Sequence, residues 1–540
     1  MCCMIQTMPE DNQNQEQELT DAEIEAKLAA RGSFKDRILG ADSKSENIVM
    51  PNIVETKVAE PVVIEKKPET IIESPVLSVA IENTIPHVEP KIEKLIAEKN
   101  IVLDLKVKTN IVNAETERFM EADRDSIANT NDGAPELNII ETDLKFPADF
   151  LWGVSTSAYQ IEGGIVNDWS VWEKSLKRVK KLQKKGLNPT DFQAGSACDS
   201  YRRYEEDFDC ALSVGANSFR LGIEWARLEP QQDTHVVSEI NHYIEVLKVA
   251  KKRGLKTIVT LWHWTLPVWV AEMGGWSNAE TVEKFQKYTD MIVREMGGYI
   301  DYWVTLNEPM MHVLAGYIAG YFPPNKHNIF KSQRVFKNLV AGHIAAYKKI
   351  HYHFPTAQVS LAQIVNHIEP ANKFNLLEWA ISGIYHYWWN HRFLAQTKKY
   401  LDFIGVDYYF HDRIVWRPPF KKNFNKKTSD LGWEIYPEGI YHVLKYLAKF
   451  EKPVIILENG IADADDKYRA DFIREHLKYV RQAMDEGVDV RGYFHWSLLD
   501  NFEWALGWTP KFGLFSVDRE TGERKMRASA EVYKKIIRNK

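Results

Sequence analysis

Aromatic side chains are almost missing from the N-terminal part of this 540-residue chain. Before residue 140 only Phe34 and Phe119 occur; the first Trp is Trp152 and the first Tyr is Tyr159. A packed core needs large apolar side chains to offset the entropy of ordering the chain. Residues 1–143 lack them and are rich in Glu, Lys, Asn and Ile/Val with recurring prolines (Pro61, Pro68, Pro75, Pro90), so they read as a mostly disordered extension. Inside it, TDAEIEAKLAARG carries one short helix signal, with Thr20 and Glu23 as a capping box and Gly32 as a stop. Long apolar runs are absent too, which excludes a transmembrane helix. The opening residues MCCMIQTMPEDNQNQEQE have no basic stretch followed by an apolar one, which speaks against a secretory signal. Cysteine is scarce: Cys2, Cys3, Cys198 and Cys210 fit neither a disulfide framework nor a zinc spacing. A reduced, cytoplasmic setting follows, with Cys2 and Cys3 read as unmodified thiols rather than lipid anchors. Charge of one sign is lacking as well. With 69 basic and 75 acidic residues the net charge is −6. That offers no domain-scale basic excess for nucleic acid, and no reason to expect an anionic membrane surface as a partner.

Aromatics are dense after residue 143, where all 17 Trp lie. From about Leu144 to Lys540, eight apolar, strand-like runs alternate with amphipathic helical stretches. The runs are DFLWGVSTSAYQ, NSFRLGIEW, LKTIVTLWHW, DYWVTLNE, AQVSLAQIVN, LDFIGVDYYF, PVIILENG and VRGYFHWSLLD. Helices such as SYRRYEEDFDCALSVG, EINHYIEVLKVAKKRG and AETVEKFQKYTDMIVREMGG each end near a glycine that serves as a stop. This alternation predicts an α/β fold, a (β/α)8 TIM barrel spanning 144–540 with large loop insertions, behind the 1–143 extension. A doubly wound sheet is the rival. No glycine-rich phosphate loop follows the first strand, which counts against its nucleotide-binding forms.

Catalytic groups of such a barrel sit at the C-terminal ends of its strands. Those ends are polar here: Gln160 and Glu162 on the first, Arg220 and Glu224 on the second, His263 and Trp264 on the third. Asn307-Glu308 closes the fourth, Asp407-Tyr408-Tyr409 the sixth, Glu458-Asn459 the seventh, and Trp496, Asp500, Asn501, Glu503 and Trp504 the eighth. Carboxylates, amides and indoles without clustered Cys or paired His suit a neutral polyhydroxylated ligand better than a metal. Sugars need hydrogen-bonding pairs for their hydroxyls and flat apolar faces for their C–H surface. Taken singly, a Glu ending a strand is ordinarily a salt-bridged or capping residue, and Cys198 and Cys210, expected in the helical stretch before the second strand, are packing residues. Glu308 and Glu458 each follow an apolar strand and precede a turn. Glycosidic cleavage uses two such carboxyl groups, one donating a proton and the other attacking the anomeric carbon or activating a water. Only their separation in space decides between those two courses.

In order along the chain, FLWGVSTSAYQIEGG, FRLGIEWAR, TLWHWTLP, TLNEP, GVDYY, ILENG and WSLLDNFEWALGW with PKFGLFSVD resemble glycoside hydrolase family 1, the retaining β-glucosidase-like enzymes, over about residues 146–535. The resemblance implies an enzyme that hydrolyses O-glycosyl bonds. Glu308 is then the general acid/base and Glu458 the nucleophile that becomes glycosylated. Arg220 lies beside the nucleophile and Tyr409 hydrogen-bonds it. Gln160, His263, Trp264, Asn307, Glu503, Trp504 and Phe512 bind the sugar, with Trp496 as its stacking floor. The resemblance implies no metal and no organic cofactor, and a β-glycoside as the small-molecule partner. Enzymes of the family for 6-phosphorylated sugars carry a Ser and a Lys-containing anion site after the eighth strand. Here Glu503-Trp504-Ala505 stands there, and an anionic Glu503 would repel a phosphate, so a free glycone is expected.

Two departures stand out. Asp407 replaces the family's Asn ahead of the Tyr pair. The expectation is a local salt bridge to a nearby Arg; if the carboxylate instead faced the site, it would raise the nucleophile's pKa. The stretch ANKFNLLEWAISGIYHYWWNHRFL between the fifth and sixth strands is also short, which predicts a pocket mouth more open on one side. Three activities are compatible with these residues: hydrolysis of unphosphorylated β-glucosides, β-galactosides or related β-glycosides from a chain end; transglycosylation at the same site; and a retired, sugar-binding scaffold. The natural sugar and the oligomeric state are left open.

Overall fold

The computed structural model describes residues 144–539; the expected extension, its Thr20–Glu23 helix, Cys2 and Cys3 lie outside the described residues. Eight strands form where the apolar runs were read: β1 (Leu151–Ser155), β2 (Ser218–Gly222), β3 (Lys256–Thr260), β4 (Tyr302–Asn307), β5 (Gln358–Ile364), β6 (Ile404–Asp407), β7 (Val454–Asn459) and β8 (Val490–Trp496). They pair in parallel and in sequence order, and β8 closes on β1 in a barrel. The principal helix after each strand is, in turn, α1 (Ser200–Ser213), α2 (Val237–Lys252), α3 (Glu280–Met296), α4 (Ile329–His353), α5 (Leu376–His386), α6 (Glu438–Leu447), α7 (Arg469–Asp485) and α8 (Ala528–Arg538).

Both layers follow from side-chain periodicity. Along a strand, successive residues point to opposite faces. Ile258, Val304, Ala362, Leu457 and Phe494 gather inside the barrel, while neighbours such as Val259, Trp303 and Val359 pack outward against the helices. Helix α2 meets that outer layer with Ile240, Tyr243, Leu247 and Ala250, one helical stripe. Helices α1 and α2 stop as read, with Gly215 and Gly254 in the left-handed region just past their ends (φ +85° and +79°). Gly297 differs: it keeps right-handed φ and leads into a 3-10 turn, Gly297–Tyr299, so α3 ends by tightening.

Two more local readings are corrected. Gln160 and Glu162 do not close β1; β1 ends at Ser155 and they belong to a following helical turn, Ala158–Ile161, which Glu162 terminates. Cys198 is buried in the loop ahead of α1, its Sγ 3.3 Å from the carbonyl of Asp500, and only Cys210 lies on the helix; both are free thiols. Beyond the ends of β5 and β6, the short strands His367–Pro370 and His411–Ile414 pair in parallel as a ribbon that continues to α5.

Candidate active site

Two irregular strand pairings set the carboxyl groups in place. Between β6 and β7 the register runs Val406 to Ile456 and then Asp407 to Glu458, so Leu457 is the extra residue of a bulge. The bulge lets Leu457 and Glu458 both face the interior and puts Asp407 on the same rung as Glu458. A second register shift between β4 and β5, from Val304–Ser360 to Asn307–Ala362, re-aims the end of β4. Glu308 itself takes left-handed backbone angles (φ +39°) and starts the helical turn Pro309–His312. Trp264 (φ +73°) and Trp504 (φ +51°) share that uncommon region. Such positions concentrate at functional sites, where surrounding structure holds them. Just past Glu458, a Cβ on Gly460 would lie 1.7 Å from the carbonyl oxygen of Trp496, so only glycine permits this approach of β7 to β8.

A cavity of about 200 Å³ opens at this end of the barrel, lined at its base by His263, Trp264, Asn307, Glu308, Tyr409, Glu458, Trp496, Glu503, Trp504 and Phe512. Ten of the twelve expected site residues therefore meet in one place. The remaining two lie behind the wall. Arg220, fully buried, donates from Nη1 to Glu458 Oε1 (2.5 Å), from Nη2 to Asn307 Oδ1 (2.5 Å) and from Nε to Thr260 Oγ1 (3.1 Å). Gln160 donates from Nε2 to the Phe502 carbonyl (2.8 Å), Asn501 Oδ1 (3.1 Å) and Glu503 Oε2 (3.4 Å), while its buried Oε1 has no protein partner. Tyr409 donates its hydroxyl proton to Glu458 Oε2 (2.8 Å). Asn307 Nδ2 lies 3.0 Å from His263 Nε2, and Trp264 Nε1 donates to the Asn307 carbonyl (3.1 Å). Indole and imidazole faces complete the base: His263 stacks near Trp504 and Trp496, and Phe512 packs with Trp496.

Carboxylate oxygens of Glu308, Asp407 and Glu458 all lie within 4.8 Å of one another. Burial holds the proton on Glu308 well above the usual carboxyl range, and the neighbouring Asp407 and then Glu458 add to it, with Arg220 opposing. Burial also raises Glu458, but Arg220 and the Tyr409 hydroxyl pull the other way and favour its ionised form. Asp407 corrects the sequence reading. It forms no salt bridge: it is fully buried and neither carboxyl oxygen has a hydrogen-bond partner among the described residues. It is not part of the cavity lining, its carboxyl lies within 4.8 Å of those of both glutamates, and burial with the adjacent Glu458 charge raises its pKa well above the ordinary Asp value. Glu503 is pushed up to about 8 by burial and by Glu458, so near neutrality it is a neutral acid rather than the anion expected. The spacing of the three carboxyls would also suit a divalent cation, but both Glu458 oxygens are already taken by Arg220 and Tyr409. His367, Glu369 and His411 form another such group, where Arg413 Nε and His411 Nε2 both approach Glu369 Oε1 at 3.1 Å.

Several polar strand-end residues serve structure instead. Glu224 accepts from Thr265 and Asn167, Glu162 pairs with Arg227 (2.7 Å), and Asp500 pairs with Arg527 (2.5 Å). The outer half of the cavity escaped sequence reasoning. Met311, Leu314, Phe322, Ile364, Trp433 and Leu506 line it, with Arg178 and Lys181 alongside. Ile364 ends β5, and Arg178 and Lys181 lie on a helix, Leu176–Lys184, between β1 and α1; the others come from loops and short helical turns, where no periodic signal marks them. The aromatic density of the region was the only hint.

The sequence profile described as "Glycosyl hydrolase family 1" matches residues 142–397 and 394–540. Beta-glucosidase A of Thermotoga maritima is 30% identical over 443 residues, covering 73% of this chain and 98% of that protein. A beta-galactosidase of Pyrococcus woesei is 29% identical over 501 residues, covering 73% of this chain and 97% of its own length. Among solved structures, the Thermotoga maritima beta-glucosidase in complex with glucoimidazole superposes with a TM-score of 0.68 at 28% identity, over 73% of this chain and 99% of that one.

Proposed function

The chain belongs to glycoside hydrolase family 1, and on that premise we propose that it is a retaining exo-β-glycosidase for unphosphorylated glycones, working by double displacement. The observation that carries this reading is the approach of Glu308 and Glu458 to within 4.8 Å. Retaining enzymes hold their carboxyl groups about 5–5.5 Å apart, whereas a separation of about 6.5–9.5 Å is needed to admit the water of an inverting reaction.

Glu458 attacks the anomeric carbon while Glu308 delivers its proton to the departing oxygen. A covalent glycosyl–enzyme results. Glu308, now ionised, then takes a proton from the incoming water, which displaces Glu458 and releases the sugar with its original configuration. Arg220 offsets the charge of the resting nucleophile, and Tyr409 holds its second oxygen. Asn307, oriented by Arg220, is placed to bind the 2-hydroxyl, where a hydrogen bond strengthens as the transition state forms. Glu503, held from behind by Gln160 Nε2, offers its carboxyl group to further hydroxyls beside the indoles of Trp496 and Trp504.

A phosphorylated glycone is disfavoured for a reason other than anionic repulsion. A phosphate there would lose its hydration inside a carboxyl-rich enclosure whose Arg220 is already committed to Glu458 and Asn307. The apolar outer cavity fits a flat or aliphatic aglycone. Hydrolysis and transfer to an alcohol share the same intermediate, so the ratio of products at high acceptor concentration measures the balance between them. The test is a panel of aryl β-glucosides, galactosides, fucosides and mannosides. At least one is expected to turn over, and Glu458→Gln to lose that activity by ~10³-fold or more. Equal rates for wild type and variant on every substrate would end this reading.

A further inference from the structure

We propose that α5 and the loop over residues 415–428 form a docking surface for an anionic lipid membrane. Helix α5 is built inside out. Its buried residues are the polar Glu378 and Ser382. Leu376, Leu377, Trp379 and Ile384 face outward, flanked by Phe374 and Tyr387, with Phe374 95%, Leu376 84% and Ile384 70% exposed. A surface helix of a globular domain does the reverse, and single chains seldom expose contiguous apolar faces of this kind without a partner. Glu378 explains the inversion. It is tied inward, accepting from the backbone N–H of Asn372 (2.7 Å) and of Trp416 (3.4 Å), which fixes the apolar side toward solvent.

Charge identifies the occupant. Residues 415–428, VWRPPFKKNFNKKT, hold five cations (Arg417, Lys421, Lys422, Lys426 and Lys427) and no carboxylate of their own, in a chain whose net charge is −6; Lys421 pairs with Asp412 (3.2 Å) and Lys427 lies 3.9 Å from Asp471. The loop lies against α5: Lys421 Nζ reaches the Tyr385 hydroxyl (3.3 Å), and the Ala371 amide donates to the Ile414 carbonyl (2.9 Å). Arg417, Lys422, Lys426 and Lys427 are exposed, as are the aromatic rings of Trp416 and Phe424. Arg417 sits over Trp416 (4.0 Å) and Lys422 over Phe424 (4.9 Å). An apolar face rimmed by Trp, Tyr, Phe and clustered cations matches the boundary between lipid headgroups and acyl chains. A second copy of the chain is a poorer fit, since a symmetric contact would bring two basic loops together. Nucleic acid would leave the apolar helix unburied. The position also suits docking: the ribbon that carries α5 and the loop leaves the barrel directly after Ile364 and Phe410, both in the cavity wall. Among the described residues no helix is long and apolar enough to cross a membrane, so the contact is a surface one.

The experiment is co-sedimentation of the full-length protein with phosphatidylcholine vesicles, with and without phosphatidylserine, at low and high salt. Binding is expected only to the serine-containing vesicles and should weaken as salt rises. Two double variants, Leu377→Asp/Ile384→Asp and Lys422→Glu/Lys426→Glu, should each reduce partitioning by at least ~tenfold. Both alter exposed positions, so their melting curves and turnover of a small soluble aryl glycoside should match wild type. The readout is binding alone, so it stands or falls independently of the catalytic assignment. Failure of the full-length protein to bind anionic vesicles at low salt would overturn the proposal. So would equal binding by the variants, or a concentration-dependent dimer in wild type that Leu377→Asp/Ile384→Asp abolishes.

Discussion

Both oxygens of Glu458 accept a hydrogen bond, from Arg220 on one side and Tyr409 on the other, while Glu308 faces two carboxyl groups. The two glutamates thus have their proton affinities separated by their neighbours. Replacing Glu308 by Ala should slow glycosides with poor leaving groups by ~10²–10⁴-fold and activated aryl glycosides far less, because only the former need the proton. Equal loss on both would remove Glu308 from the role. Asp407 adds a third carboxyl that, once ionised, makes every other proton in the cluster harder to lose. Asp407→Asn removes that repulsion, so both limbs of the kcat/KM profile should move to lower pH. Stability should respond too. A carboxyl whose folded pKa is raised binds more protons folded than unfolded, so its burial weakens the fold as pH rises above the unfolded value, about 4. The gain in melting temperature from Asp407→Asn should therefore be small in acid and grow toward neutrality.

Individual elements show which parts of this arrangement are readable from sequence. Apolar runs flanked by polar ends marked all eight strands, because a parallel strand buried on both faces is mostly apolar along its length. Glu308 and Glu458 were legible as residues that break such runs. The orientation of Asp407 was not, since it depends on a bulge that leaves Leu457 unpaired, and period-two alternation does not show where a bulge falls. Gln160 was placed on a strand because the helical turn Ala158–Ile161 is too short to carry a period of its own. Most of the outer cavity comes from loops and short turns, whose conformation no pattern encodes. Gly460 tests how tightly β7 and β8 hold Glu458. Gly460→Ala would drive a methyl into the Trp496 carbonyl. It should cost about 2 kcal/mol or more of stability in denaturant unfolding, with a matching loss of turnover. An unchanged unfolding midpoint would mean the two strands have slack.

For the whole molecule, averages conceal the parts that act. The net charge of −6 gave no reason to expect a membrane, yet the basic segment 415–428 stands beside an outward-facing apolar helix. Among the described residues, the barrel brings the expected site residues together, from Gln160 to Phe512. A chain beginning near Asn138 should therefore retain the kcat/KM of the full protein on soluble aryl glycosides within about twofold, close to the few tenths of a kcal/mol that separate independent sites. A large loss would assign residues 1–143 a part in the chemistry. Double displacement requires that Glu458 become covalently glycosylated. It is tested most directly by inactivating the enzyme with an activated 2-deoxy-2-fluoro β-glycoside and analysing its peptides by mass spectrometry. A single sugar adduct is expected on the peptide containing Glu458 and none in Glu458→Gln. Inactivation with the adduct on another residue, or steady turnover of that reagent's parent glycoside with no trapped intermediate, would contradict it.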